Sequence, residues 1–441
     1  MIIRTRFAPS PTGLLHVGNI RAALHNWLWA KKNDGQFWLR IDDTDAERSE
    51  ERFVDAIRAD LAWLGLAPDG EERQSARFNR YEARFVALRD AGRVYPAYET
   101  AQELDLKRKI AAGRGLPPIY DRAALALGDA DRAALEATGV KPHWRFKLDH
   151  DTGIEWDDLI RGPQKFDAAT MSDPVIRRAD GSWLYMLPSA IDDAEMQITH
   201  VVRGEDHVSN TALQVQMFAA MGVQAPAFAH EALLVGSEGK LSKRLGSLGV
   251  AAFRAAGIEP EAVRALLARL GTSDPVEPIA DAAPLIASMD FARFGRAPAR
   301  FDDAELAGIN AKIVHMIDYD AVASRLPGGM GRAEWEAVRP NLKTVTEAAD
   351  WWAVIDGEID VQTDPADHDF LADAARIADR IEWTADPWHA LTAALKASSG
   401  RSGKTLFLPL RRALTGRDHG PDMAALLPLI GRERTVARLK G

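Results

Sequence analysis

The apolar positions at the start of the chain change period twice. Ile2 to Phe7 alternate as a short strand, and Pro9-Ser10-Pro11-Thr12-Gly13 can continue neither a ladder nor a helix. Ile20, Ala23, Leu24, Trp27 and Leu28 then recur at helical spacing, which starts a helix near Val17 or Gly18. Asn33-Asp34-Gly35 stops it, and Gln36 to Ile41 read as a second strand. Strand, helix, strand implies a parallel, right-handed unit. Asp42-Asp43-Thr44-Asp45 follows at the carboxyl end of the second strand, where ligands sit in open α/β sheets. One further helix carries Phe53, Ile57, Leu61 and Leu64 on one face and closes at Gly65. Another runs from about Ser75 to Ala91 with Phe78, Phe85 and Leu88 inward.

The texture changes from Val94 to about Leu187. Basic, glycine-punctuated stretches (Lys107-Arg108-Lys109, Gly113-Arg114-Gly115) and short β-like pieces at His143–Lys147 and Gly181–Tyr185 predict a mixed α+β insertion between two halves of one sheet. The α/β pattern then resumes. Met196 to Val202 is a buried strand, Ser209 or Asn210 caps a helix carrying Leu213, Met217 and Met221, and Phe228 to Val235 is another strand broken by Gly236-Ser237-Glu238-Gly239. Pro260 opens a helix with Val263, Leu266, Leu267 and Leu270 inward, and Gly271 ends it. From about Phe291 onward the pattern is helical. The predicted fold class is α/β: a Rossmann-like parallel sheet split by an α+β insertion, followed by an all-α C-terminal region.

Composition narrows this a little. With 441 residues, 46% hydrophobic and 27% charged, the chain reads as an ordinary globular protein of two to four domains. No apolar run is long enough to span a membrane, and the N-terminus enters a strand without a charged leader and apolar core, so neither a membrane nor secretion is expected. Zero cysteines exclude disulfides, thiolate catalysis and cysteine-ligated zinc or iron–sulfur sites, which fits a reducing cytoplasm. The net charge of −9 argues against a general basic coat for nucleic acid. Residues 401–441 nonetheless carry nine basic against three acidic side chains, a net +6, which suits either a local polyanion contact or a solvated helix surface.

Candidate chemistry gathers at the strand ends. A helix mouth offers unpaired N–H groups and a positive dipole end, so His16 and Gly18 suit a phosphate, and Gly18 lets a flat ring lie against the backbone. His16-Val17-Gly18-Asn19 and the distant Lys240-Leu241-Ser242-Lys243-Arg244 together resemble the paired signatures of class I aminoacyl-tRNA synthetases. Cations and donors set on the phosphates of ATP would stabilise the charge that develops in adenylate formation. The stretches Arg6–Gly13, Arg40–Asp45, Gln74–Phe78, Ile198–His207, Pro298–Asp302 with Asn310, and Pro409–Gly416 are similar to the glutamyl-tRNA synthetase family, and they cover nearly the whole chain.

That resemblance implies an enzyme that makes glutamyl-adenylate from glutamate and ATP and passes the glutamyl group to the 3′-terminal adenosine of tRNA(Glu). It leaves open whether tRNA(Gln) is charged as well or instead. It implies a catalytic domain in two halves (1–93 and 188–236), an acceptor-end insertion (94–187), a stem-contact helical domain with the Lys-Leu-Ser-Lys-Arg loop (237–310), and an anticodon-binding domain (311–441). His16, Gly18, Lys240 and Lys243 would be catalytic. Arg6, Ser10, Asp42, Tyr185 and Arg203 would bind glutamate, with Asp42 on its ammonium. His16, Gly18, Asp206, Leu234 and Lys243 would hold ATP, which brings Mg2+ with it. A monomer is the family expectation. The chain departs from the common pattern at Asp42, where glutamate is frequent, and at Asn19, where histidine is. Ala97 and Glu99 stand where some members carry a Cys-x-Cys, so no zinc is expected in the insertion. A queuosine-glutamylating relative would lack the helical tail, and a dead paralogue would lack His16, Gly18, Lys240 and Lys243.

Overall fold

The computed structural model describes residues 2–236, 249–361, 363–383 and 386–441. Chain contacts divide it into two units, Met1–Phe253 with Val263–Asp302, and Arg254–Ala262 with Asp303–Gly441.

The first unit opens with β1 (Arg4–Phe7), α1 (Val17–Lys32) and β2 (Gln36–Ile41), followed by α2 (Glu51–Trp63), β3 (Gly70–Arg73) and α3 (Phe78–Asp90). The strands pair in parallel in the order β1-β2-β3, with Arg4 opposite Gln36 and Trp38 opposite Gly70. Strand β3 has the sequence Gly-Glu-Glu-Arg and carries no apolar alternation, so periodicity gives no sign of it. An insertion follows: β4 (Val94–Ala97), α4 (Ala101–Gly113), α5 (Asp129–Ala137), β5 (His143–Phe146), the antiparallel hairpin β6 (Ile154–Asp158) and β7 (Gly162–Phe166), and β8 (Val175–Arg177). The sheet resumes after α6 (Met186–Glu195) as β9 (His200–Gly204), α7 (Val208–Ala220), β10 (Ala227–Glu231) and β11 (Leu234–Val235). Strands β9 and β10 are parallel, and Thr199 joins them to β1: its N–H donates to the Arg4 carbonyl at 2.9 Å, while the Arg4 N–H donates to its hydroxyl at 2.8 Å. Chain connection therefore reverses direction between β1 and β9, the place where an open α/β sheet leaves a crevice at its carboxyl ends.

Several sequence expectations shift. Gly181–Tyr185 is not a strand: Gly181 has φ +89° and forms a tight turn, with only Trp183 bridging to Arg177. Phe78 is 41% exposed, because a 3-10 turn over Gln74–Arg77 rotates the helix start and Tyr81 takes the inward place. Phe53 is half-buried under the Arg52 guanidinium, and Val54 takes its inward place. The strand predicted at 196–202 begins only at His200, since Met196 caps α6 and Gln197 has φ +56°. The strand predicted at 228–235 is two pieces, β10 and β11. Helix α7 starts at Val208 behind a 3-10 turn, without a Ser209 or Asn210 cap.

Beyond residue 249 come α8 (Val250–Ala255), α9 (Pro260–Arg269), α10 (Ala282–Ser288) and a two-residue β12 (Ala299–Arg300) that pairs with β11, the one strand among the described residues past Phe291. Glycine at 271, φ +81°, follows α9 as predicted. The second unit is helical: α11 (Asp303–Val314), α12 (Tyr319–Val322), α13 (Arg332–Val338), α14 (Ala348–Asp356), α15 (His368–Ala378), α16 (Pro387–Ser399), α17 (Lys404–Thr415), α18 (Met423–Ile430) and α19 (Arg432–Lys440). Its core gathers Trp335, Leu371, Leu391, Leu410, Leu414 and Leu426, all buried. Asn310 is a buried strut here, taking the Glu259 N–H at 2.7 Å and donating to the Lys343 carbonyl at 2.8 Å. Four of the nine basic side chains of 401–441 already hold carboxylates in this unit: Arg401 to Asp367, Arg412 to Asp418, Arg432 to Asp379 and Arg434 to Asp356.

Candidate active site

A cavity of about 630 Å³ opens at the carboxyl ends of β1, β2 and β9. Arg6, Ser10, His16, Gly18, Asp42, Tyr185, Arg203, Asp206 and Leu234 all line it. Lys240 and Lys243 lie outside the described residues.

His16 is the N-cap of α1. The backbone N–H groups of Gly18 and Asn19 donate to its Nδ1 at 3.1 and 3.4 Å, while the Asn19 side-chain oxygen accepts the His16 N–H at 3.2 Å. This reciprocal cap fixes the tautomer: Nδ1 is an acceptor, so Nε2 carries the hydrogen, and burial lowers the ring's pKa and keeps it neutral. A neutral N–H donor matches a phosphate-binding part better than a base. A Cβ on Gly18 would press on the His16 ring at 3.0 Å, so the absence of a side chain there leaves room for the cap. Asn19 is the other half of the cap.

The floor is a lattice of guanidinium and carboxylate groups. Arg40, fully buried, donates from Nε and Nη2 to the two oxygens of Asp42 (2.7 and 3.1 Å) and from Nη1 to Asp193 (2.7 Å). Arg6 donates from Nε and Nη2 to Asp193 at 3.0 and 3.4 Å. Burial works against the charge of Asp193, but Arg6 and Arg40 outweigh it and hold its pKa below the usual range. Asp42 is different: burial dominates over Arg40 and pushes it up to about 6. A deeper layer sets Arg77, Tyr81 and Gln74 on Asp192 at 2.6, 2.7 and 3.0 Å.

Arg203 has only neutral partners. Nη2 donates to Thr211 Oγ1 (2.5 Å) and Gln214 Oε1 (2.7 Å), and among the described residues no carboxylate pairs with it. Burial and the nearby Arg6 pull its pKa down to about 10, so it stays charged at neutral pH. Tyr185 is no core aromatic: it is 36% exposed, and Asn210, expected as a helix cap, instead donates to its hydroxyl. Asp206 is exposed and its carboxylate crowds Gly204, where a Cβ would meet it at 2.5 Å.

Residues 2–307 match the family described as tRNA synthetases class I (E and Q), catalytic domain, and residues 305–441 match the anticodon binding domain. The chain belongs to the class I tRNA synthetases (E and Q). It is 67% identical over 439 residues to the glutamate–tRNA ligase 1 of Rhizorhabdus wittichii, covering 100% of this chain and 99% of that one. It is 68% identical to the glutamate–tRNA ligase 1 of Novosphingobium aromaticivorans, with 99% of each covered. The crystal structure of a glutamate tRNA ligase from Elizabethkingia meningosepticum in complex with its amino acid matches with a TM-score of 0.88 at 28% identity, covering 100% of this chain and 98% of that one.

For this synthetase the sequence motifs find the cavity's lining and miss its support. Asp192, Asp193 and Ser189 sit on α6, which buries them together with Leu187, Ala190 and Ile191; the apolar spacing marks a helix and gives no sign that the acids are buried with it. Arg40 and Gln74 lie inside family words without announcing their partners. Among the described residues no three His, Cys, Asp or Glu side chains gather in a way that would hold a metal ion. Within the insertion, Ala97 is buried in β4 and Glu99 accepts the Tyr120 hydroxyl at 2.8 Å. No described helix is long and apolar enough to cross a membrane.

Proposed function

We propose that this chain is a glutamate–tRNA ligase of the cytoplasm. A carboxylate oxygen of glutamate attacks the α-phosphorus of ATP, the bond to pyrophosphate breaks, and glutamyl-adenylate forms. A hydroxyl of the tRNA 3′-terminal adenosine then attacks the acyl carbon and AMP leaves. The observation that carries the reading is the pair of guanidinium groups, Arg6 and Arg203, lining one cavity with the helix mouth at His16 and Gly18. Free glutamate has two carboxylates and one ammonium; two guanidinium charges and the acid Asp42 match it, and the helix mouth beside them matches a triphosphate. Ser10 and Tyr185 complete the amino-acid side, Asp206 and Leu234 the nucleoside side, and Lys240 and Lys243 the phosphates. Mg2+ would arrive with ATP. The insertion 94–187 would take the acceptor end of tRNA(Glu), 237–310 its stem and 311–441 its anticodon, in a monomer; tRNA(Gln) is a second substrate to be tested.

The decisive experiment is ATP–pyrophosphate exchange with glutamate or glutamine, with and without each tRNA. Exchange is expected with glutamate and tRNA together. Exchange with glutamine in place of glutamate, or none, overturns the reading.

The ammonium contact has its own check. Asp42 must be ionised to meet a cation, and its pKa is pushed up to about 6. The KM for glutamate is therefore expected to be flat above about pH 7 and to rise roughly tenfold per unit below about pH 6, a range in which the substrate's own carboxylates stay ionised. Asp42→Asn should be weak and flat throughout. A pH-independent KM in the unaltered chain would remove Asp42 from the ammonium.

A further inference from the structure

Two buried residues that no family word contains stand behind Arg203. His230, in β10, presents Nδ1 at 2.5 Å to Asp158 Oδ2, and both side chains are wholly shielded from solvent. The other oxygen of Asp158 accepts three backbone N–H groups, from His230 (3.1 Å), Ile160 (3.1 Å) and Arg161 (2.9 Å). These contacts outweigh burial and hold the Asp158 pKa below the usual range, so it is an acceptor only and His230 Nδ1 must carry the hydrogen. Burial lowers the pKa of His230, so the ring is neutral and Nε2 keeps a lone pair. That lone pair faces Thr211 Oγ1 at 2.8 Å and Arg203 Nε at 3.4 Å, and Thr211 in turn takes Arg203 Nη2.

We propose that Asp158 and His230 are positioning residues for Arg203, fixing a lone pair behind its guanidinium so that the group is aimed without being neutralised. This rests on the reading of Arg203 as a ligand of the substrate carboxylate. A carboxylate set directly on Arg203 would aim it equally well but would cancel the charge that the substrate needs. Thr211, Gln214 and the neutral His230 ring clamp it with dipoles, and the anion that orders the clamp sits one ring further away. Asp158 comes from the insertion, at the end of β6. The insertion hairpin is stitched to the sheet beside it, where Leu159 N–H donates to the Phe228 carbonyl at 2.8 Å and Arg161 pairs with Glu205 at 2.5 Å. The segment expected to receive the acceptor end thus supplies the anchor of the amino-acid site.

The test is Asp158→Asn in the full-length chain. The three backbone N–H groups hold the amide oxygen on their side, so the amide N–H faces His230 Nδ1. The ring must then move its hydrogen to Nε2 and point it at Arg203. In pyrophosphate exchange the KM for glutamate is expected to rise about 10- to 100-fold, with the KM for ATP unchanged and kcat within about threefold. Nitrogen-15 histidine spectra should report hydrogen on Nδ1 of His230 in the unaltered chain, a measurement independent of whether the variant folds. Hydrogen on Nε2 in the unaltered chain, or an Asp158→Asn enzyme with an unchanged KM for glutamate, overturns the positioning role alone. Absence of glutamate-dependent exchange by the unaltered chain overturns the glutamate reading beneath it.

Discussion

Arg203→Met is expected to lower kcat/KM for glutamate by roughly a thousandfold, about 4 kcal/mol of lost charge-assisted contact, while the melting temperature moves by no more than about 3 °C. The two halves of this result have one cause. The partners of Arg203 are Thr211, Gln214 and His230, all neutral, so removing the guanidinium strands no carboxylate. It also relieves the cost of keeping a cation out of water, which is what draws its pKa down to about 10. On the proposed reading, a guanidinium that contributes little to the fold and lines the cavity is there for the substrate carboxylate. Pyrophosphate exchange and thermal unfolding of the same sample check both halves. A variant that loses its fold along with its activity would make Arg203 a structural residue, and one that keeps full activity would remove it from the site.

Arg40→Met should do the opposite. Arg40 has no exposed surface and holds Asp42 by two bonds and Asp193 by a third. Its removal leaves Asp42 without its bidentate partner in a buried floor, and such broken pairs cost about 3–5 kcal/mol. The expected result is a lower urea midpoint at pH 7. Combining Arg40→Met with Asp42→Asn should recover part of the loss, because the orphaned charge goes with it. A single variant as stable as the parent would mean that the floor is held by packing and not by this ion pair.

What could be read before the structure follows from which signals are local. β1, α1 and β2 have a clean period and hard stops, so their bounds come out within a residue or two. Short motifs mark the side chains that would touch ligands, because few residue types meet a phosphate or a carboxylate. The supporting layer has no such signature. Strand β3 is Gly-Glu-Glu-Arg, and α6 buries Asp192 and Asp193 beside its apolar Leu187, Ala190 and Ile191, where a pattern of apolar and polar positions places acids on the surface. Asp158 and His230 are far apart in the chain, and nothing near either names the other. Gly18 and Asn19 were legible as letters of a motif; that they hold the His16 tautomer needed the helix cap in three dimensions. Residues 401–441 carry a net +6, yet four of those cations are spent on acids of the same unit, three of them upstream of the tail.

The hairpin at 154–166 bears on how such a chain can be taken apart or recombined. By order along the chain it belongs to the insertion that lies between the two halves of the sheet. By its bonds it belongs to the sheet, since Asp158, Leu159 and Arg161 fasten onto β10 and the end of β9. A minimal nucleotide-activating core, or a chimera that borrows another insertion, has to keep this hairpin and graft outside it. The boundary set by chain order and the boundary set by bonds lie at different places in this unit.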